Sequence, residues 1–370
     1  MSFYNEIQKY DWEEVKNQIY SKTEADVKLA LEKDKIDLND FQALISPAAT
    51  TYLESMAQKS MQLTQKRFGK CIQMYIPLYL SNSCTNTCVY CGFNHKNKFA
   101  RKILSKEELL KEAIEIKKLG FEHILLVSGE DQKNCGCDYI SEMMDTIKDD
   151  FSLISLEAQP LKVEEYEKLT HKGLNTVYIY QETYNESNYK KYHPAGKKSN
   201  YQYRLETPDR LGQAGVHKVG LGCLLGLEDW RVDSFFTALH LQYLEKTYWK
   251  SKYSISFPRL RPHTGGFQPN YETSQKDLVQ LITAYRLFNQ HVEISLSTRE
   301  SEKFRDNMLK LGATSFSAGS KTNPGGYSNT EESLEQFSIN DDRSPAEIAD
   351  MIHSKGYEVI WKDWDNFMQL

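Results

Sequence analysis

The sequence predicts an α/β fold, a closed TIM-type (β/α)8 barrel preceded by an N-terminal helical layer. Three observations predict it. From Cys71 onward, short apolar runs alternate with amphipathic runs of helical period eight times, the pattern of parallel strands joined by crossover helices. Before Cys71 the apolar residues recur only at helical spacing. Polar motifs fall just after the strand-like runs, where barrels of this type carry their chemistry. The chain is expected to divide into a helical segment (1–70), the barrel (71–340) and a C-terminal helix and tail (341–370).

The helical layer reads as Trp12 to Tyr20, Ala25 to Glu32, Leu38 to Leu44 and, after the Ser46-Pro47 break, Ala48 to Lys66. The first strand is Cys71 to Leu80, an apolar run long enough to be buried on both faces. Ser105-Lys106-Glu107-Glu108 is a capping box opening a helix that Gly120 ends. Strands follow at His123 to Val127, Leu153 to Ala158, Thr176 to Tyr180, Lys218 to Leu225, Tyr253 to Phe257, Val292 to Ser297 and Thr314 to Ala318. The intervening helices are Asp138 to Asp149, Val163 to Lys172, one ending near Ala214, Trp230 to Tyr248, Gln275 to Asn289 and Ser301 to Leu311. Pro345 to Lys355 is the last helix, and Tyr357 to Trp361 a short extension.

Composition narrows the function. The net charge is −5 and no long basic run is present, which argues against nucleic acid as a partner. No apolar run is long enough to span a bilayer. Seven cysteines, three of them clustered, and no signal peptide point to a reducing cytoplasm.

The cluster is Cys84, Cys88 and Cys91, spaced C-x3-C-x2-C on a polar loop that leaves the first strand. Iron–sulfur clusters take thiolate ligands, normally four. Three on one tight loop leave a fourth iron open to a small molecule. The alternative is zinc, with His95 as the fourth ligand of a Cys3His site in a structural interaction module. Other strands end in Ser128-Gly129-Glu130, Glu157-Ala158-Gln159, Gln181-Glu182-Thr183, the glycines Gly220, Gly222 and Gly226, Arg259 to Gly266, and Ser297 to Glu300. Singly each has a plain reading: a solvated carboxylate, a glycine that eases packing, a surface ion pair in Arg299. Together, at one barrel mouth beside three thiols, they read as a site. Cys135-Gly136-Cys137 reads as a surface loop after the second strand.

These residues resemble the radical SAM superfamily. Cys84, Cys88 and Cys91, with Tyr90 before the last, match its cluster loop; Ser128-Gly129-Glu130 stands where the superfamily contacts the amino group of S-adenosylmethionine. The stretches FEHILLVSGE, VYIYQETY, RLETPDRLGQAG, SLSTRE, SFSAGSKTNPGGY and VIWKDWD are similar to the aromatic amino acid lyase branch. The resemblance implies a [4Fe–4S] cluster on the three cysteines and S-adenosyl-L-methionine as cofactor. Glu182 is then the ribose contact, Arg204 the methionine carboxylate contact, and Gly222 part of the stretch beside adenine. It implies that a 5′-deoxyadenosyl radical takes hydrogen from L-tyrosine, whose Cα–Cβ bond breaks to give p-cresol and 2-iminoacetate for thiamine thiazole. Arg299 matches an arginine on the substrate carboxylate; Ser317 faces inward if strand residues alternate; Tyr90 is placed to order the amino group. His263, Arg259 and Glu300 are open candidates for the phenol end. Expected partners are a thiazole synthase and a flavodoxin or ferredoxin reductant. The hydrogenase-maturing tyrosine lyase carries a second cluster on a C-terminal extension with cysteines. Here no cysteine follows Cys223, which favours the thiamine branch. A tryptophan lyase is the other competitor.

Overall fold

The computed structural model describes residues 2–328 and 335–362. The helices before the barrel are Phe3–Ile7 (α1), Trp12–Tyr20 (α2), Glu24–Glu32 (α3), Leu38–Ile45 (α4) and Leu53–Phe68 (α5), with a 3-10 turn over Pro47–Tyr52. The barrel runs β1 (Cys71–Ser81), α6 (Lys106–Lys118), β2 (His123–Ser128), α7 (Cys137–Ile147), β3 (Leu153–Glu157), α8 (Val163–Thr170) and β4 (Leu174–Tyr178). Three short helices follow: α9 (Glu186–Tyr192), α10 (Tyr201–Leu205) and α11 (Thr207–Gln213). Then come β5 (Lys218–Gly222), α12 (Trp230–Thr247), β6 (Lys252–Ser256), α13 (Gln275–Phe288), β7 (Glu293–Leu296), α14 (Glu302–Met308) and β8 (Ser315–Ser317). The chain continues to α15 (Pro345–Ser354) and β9 (Glu358–Ile360).

All eight expected strands are present and parallel, and β1 pairs with both β2 and β8, so the barrel closes. Gln73 pairs with Ser315 on one side and Ile360 on the other; β9 therefore flanks the start of β1 on the edge that β2 occupies from Ile76 onward. The Ser105 capping box forms as expected. Two expectations differ. The fourth to eighth strands stop earlier than the apolar runs, because Ile179, Leu224 and Leu225 stay buried after the ladder has ended. The single helix expected before Ala214 is three: Pro194 and Gly196 separate α9 from α10, and Pro208 in the first turn of α11 separates it from α10. Of the similar stretch VIWKDWD, the last three residues lie outside the described residues.

Strand alternation sorts the core into two parts. On β1 the even residues Ile72, Met74, Ile76, Leu78 and Leu80 are almost fully buried and join the large core under the helices. The odd residues Tyr75 and Tyr79 face the barrel interior with Leu125, Val127 and Tyr178. Bulk is uneven inside. Strands β1 and β4 contribute tyrosines, while Gly220, Gly222, Ser256, Ser295 and Ser317 contribute little volume. The Tyr75 hydroxyl meets Ser295 Oγ at 3.0 Å, so a buried phenol is satisfied across the barrel. Filling one side with rings and the other with small residues leaves space toward the mouth. The N-terminal layer seals part of the outside. The Gln280 amide on α13 donates to the Leu44 and Ser46 carbonyls at 2.9 and 2.8 Å, which satisfies the end of α4. Among the described residues no helix is long and apolar enough to cross a membrane.

Candidate active site

At the C-terminal mouth of the barrel lies one cavity of about 1640 Å³, its open mouth included. Its lining includes Cys84, Cys88, Tyr90, Cys91, Ser128, Gly129, Glu130, Glu182, Arg204, Arg299 and Ser317. Of the predicted site residues, Gly222 and the phenol-end candidates Arg259 and His263 fall outside this lining, and the others are brought together.

The cysteine loop has no regular structure, and its shape comes from partners elsewhere. Thr85 N donates to Glu130 O, Thr87 N to Ala195 O and Val89 N to Tyr192 O, each at 3.0–3.1 Å. The Arg101 guanidinium clamps both ends, donating to the Asn82 and Phe93 carbonyls at 2.8 Å and to Asn94 O at 2.7 Å. Burial pushes all three thiols up, Cys91 to about 11, so metal loading must displace their protons. His95, the fourth ligand of the zinc alternative, is exposed, with Nδ1 3.1 Å from the Cys84 carbonyl. Among the described residues no group of three His, Cys, Asp or Glu side chains closes around a single ion. Three thiols of one loop, Cys88 buried and Cys84 and Cys91 half-buried, line an open cavity and fit a cluster with one uncovered corner.

Beside the thiols stands a network of two carboxylates and two cations. Arg204 Nη1 meets Glu130 Oε1 at 2.8 Å, and its Nη2 lies 3.6 Å from Glu182 Oε1. Lys198 Nζ meets the same Glu182 oxygen at 2.6 Å. The other Glu130 oxygen accepts from the Asn86 amide at 2.7 Å. Burial alone would push Glu130 up, but Arg204, Lys198 and the Asn86 contact outweigh it and hold the carboxyl below its ordinary range. The same carboxylates keep Arg204 charged. Glu182 has φ 71°, the left-handed region that costs a side chain about 1–3 kcal/mol. Its carbonyl accepts from Leu224 N at 2.8 Å and its carboxylate is held by Lys198, so both ends enforce the turn. The network sets two cations against two carboxylates on one cavity wall, a surface complementary to a ligand that carries both signs of charge.

In the same cavity, Ser317 Oγ accepts from Thr298 N at 3.2 Å. Arg299 is half-buried; among the described residues its Nη1 hydrogen-bonds the Arg259 carbonyl alone, at 3.4 Å. Arg259 itself is paired with buried Glu300, and His263 contacts the Arg261 and Val89 carbonyls, so these phenol-end candidates have structural partners already. The Tyr90 hydroxyl is also taken. His193 Nδ1 faces the Tyr189 carbonyl and must donate there, which leaves Nε2 to accept from Tyr90 at 2.7 Å. Burial, then Lys198 and Arg204, keep His193 neutral.

Two expectations are corrected. Cys135 and Cys137 do not sit on a surface loop: both thiols are free and buried, and Cys137 opens α7. Gly136 allows it, since a Cβ there would lie 2.5 Å from the Gln132 carbonyl. Gly222 is not among the residues that line the cavity. A Cβ there would meet Ser256 O at 2.5 Å and the Tyr180 ring at 3.0 Å, so this glycine makes room for a barrel tyrosine. Sequence reading also missed Lys198, Asn86 and Gln336. The signal for Lys198 was the His193-Pro194-Ala195-Gly196 break in an apparent helix. That break brings the following segment back onto the cysteine loop, where Lys198 N donates to Asn86 Oδ1 at 2.9 Å.

Gly129 joins the two halves of the site. A Cβ there would fall 2.2 Å from Ser83 O and 3.3 Å from Cys84 Cβ. Gly129→Ala is therefore expected to displace the cysteine loop, lowering stability by about 1–3 kcal/mol and reducing retained iron. Thermal unfolding and iron analysis check both; unchanged values would mean the loop is not held here.

Residues 78–239 match the model of the radical SAM superfamily, and residues 256–358 that of the Biotin and Thiamin Synthesis associated domain. Over 368 residues the chain is 47% identical to a 2-iminoacetate synthase of Escherichia coli (strain K12), covering 99% of this chain and 98% of that protein. The same enzyme of Salmonella typhimurium gives 47% identity over the same shares. Among solved structures, that of HydG, a maturase of the FeFe-hydrogenase, superposes with a TM-score of 0.90 at 32% identity, over 94% of this chain and 80% of that one. Methylornithine synthase (PylB), at 20% identity and a TM-score of 0.72, shares the fold.

Proposed function

The chain belongs to the 2-iminoacetate synthase family within the radical SAM superfamily, and from this we propose that it splits L-tyrosine between Cα and Cβ, yielding 2-iminoacetate and p-cresol. The observation that carries this reading is one cavity lined by three loop thiols, a balanced charge network beside them and Arg299. When bound, a [4Fe–4S] cluster and S-adenosyl-L-methionine supply an electron and a 5′-deoxyadenosyl radical able to remove hydrogen from a substrate.

The chain's own residues position and exclude. Cys84, Cys88 and Cys91 hold the cluster, and Ser128, Gly129 and Glu130 take the amino end of S-adenosyl-L-methionine. Glu182 takes the ribose. Arg204 exchanges Glu130 for the ligand carboxylate. Such an exchange keeps buried charges paired throughout, which matters because an unpaired one costs several kcal/mol. Arg299, with Ser317 beside it, holds the tyrosine carboxylate by a bidentate contact. Tyr90, anchored by His193, backs the cluster loop rather than offering its hydroxyl. The ring-lined interior keeps water from the reactive centre.

2-Iminoacetate is an imine that water hydrolyses, so transfer to a thiazole synthase at the mouth is part of this reading. The electron comes from a flavodoxin or ferredoxin, in the cytoplasm. The HydG likeness is a weaker guide, because this chain spans 80% of that one. The test is substrate choice under anaerobic conditions, with reconstituted enzyme, S-adenosyl-L-methionine and dithionite. p-Cresol from tyrosine and nothing from tryptophan is expected. An indole product from tryptophan would overturn the assignment.

A further inference from the structure

Among the described residues, two opposite charges in the cavity have no oppositely charged partner in an ion pair. Arg299 stacks over the Phe337 ring at 3.4 Å and, among the described residues, meets no carboxylate. Glu157, the last residue of β3, lines the same cavity. Among the described residues its carboxylate has neither a hydrogen bond nor an ion pair. Yet the two feel each other. Burial pushes Glu157 up to about 7, and Arg299 is the largest influence opposing that rise. Burial pulls Arg299 down, and Tyr79 and then Glu157 oppose it. They face one cavity from strand ends on opposite sides of the barrel, close enough to interact and too far apart to pair. Both side chains are half-buried, and a ligand that carries both signs of charge can complement the two together. A free α-amino acid does so, with a carboxylate and an ammonium on one carbon.

We propose that Glu157 receives the α-ammonium of the substrate while Arg299 receives its carboxylate, so that the cavity selects a zwitterion before it selects a side chain. This rests on the amino acid lyase reading above and adds an orientation to it. Glu157 is also within electrostatic reach of Glu182, Lys198 and Arg204. The amino end of the substrate therefore points to the cofactor side, where hydrogen is to be removed, and the aromatic ring points into the tyrosine-lined interior.

Anaerobic binding of three probes to the iron-loaded enzyme with S-adenosyl-L-methionine tests this. The probes are L-tyrosine, tyramine, which lacks the carboxylate, and 3-(4-hydroxyphenyl)propanoate, which lacks the amino group. Glu157→Gln is expected to weaken tyrosine and tyramine by about 10–100-fold and to leave the propanoate unweakened. Arg299→Gln is expected to do the reverse, sparing tyramine. Glu157→Asp, which keeps the charge, retains the preference for tyrosine over the propanoate.

A pH series adds a second readout. The groups facing Glu157 are Arg299, Glu182, Lys198, Arg204, Tyr75, Tyr79, Tyr178 and Tyr180. Protonation of Glu157 removes its hold on an ammonium, so the wild-type preference for tyrosine over the propanoate should fall as pH drops through about 7 and be flat in Glu157→Gln. Equal weakening of all three probes by Glu157→Gln, or no weakening of tyrosine, overturns the assignment. If the wild-type enzyme binds none of them, the tyrosine reading itself falls and takes the assignment with it.

Discussion

Changing any one of Cys84, Cys88 or Cys91 to alanine is expected to give a folded, colourless protein with no turnover. Iron should fall from about four per chain to near none. The loop keeps its shape without the metal because its backbone is tied to Glu130, Tyr192 and Ala195 and clamped by Arg101. Each substitution removes a ligand from a site that has only three protein thiolates, so no remaining pair can hold the cluster. Iron analysis, visible absorbance and far-UV circular dichroism separate the outcomes. Retained iron in any of the three variants would remove that cysteine from the site. Zinc bound at about one per chain in the wild type would instead indicate a structural metal.

Changing Asp341 to asparagine is expected to cost about 3–5 kcal/mol of stability, the usual loss when one partner of a buried ion pair is removed. Arg305 and Asp341 are both 0% exposed and hydrogen-bonded to each other, and Arg305 also donates to the Ser317 carbonyl. Arg343 donates to Asp341 as well, at 2.7 Å. The pair is thus the support under Ser317, and loss of stability should come with weaker substrate binding. Burial alone would raise the Asp341 carboxyl, but Arg343 and Arg305 reverse the sign and hold it below its ordinary value. A depressed carboxylate stabilises above the unfolded pKa of about 3.9 and loses that contribution as pH falls through the folded one. The difference in stability between wild type and Asp341→Asn should therefore be full at neutral pH and shrink below about pH 4. Denaturant unfolding at several pH values measures it; a difference independent of pH would exclude this origin.

Much of the barrel was legible because its strands bury one apolar face under helices and turn another inward. That alternation leaves a mark at Ile72, Met74, Ile76, Leu78 and Leu80. Strand ends were less legible, since Ile179 and Leu224 are as buried beyond the ladder as residues within it. The cysteine loop was visible from its spacing alone. Lys198 was not, because a lysine in Lys197-Lys198-Ser199-Asn200 reads as solvated; only the fold places it on Glu182. Glu157 was noticed as a strand-end carboxylate, but its lack of partners is a property of the folded cavity. Cys135 and Cys137 misled because polar neighbours surround them in sequence while Gly136 lets the backbone carry both thiols inside.

The central claim is that this cavity breaks tyrosine between Cα and Cβ. Tyrosine with distinguishable isotopic labels at those two carbons, given anaerobically to the reconstituted enzyme with S-adenosyl-L-methionine and a reductant, tests it in one measurement. The Cβ label is expected in the methyl group of p-cresol, and the Cα label in 2-iminoacetate or the glyoxylate formed by its hydrolysis, each matching the 5′-deoxyadenosine released. Both labels in one product, or 5′-deoxyadenosine released while tyrosine stays whole, would contradict it.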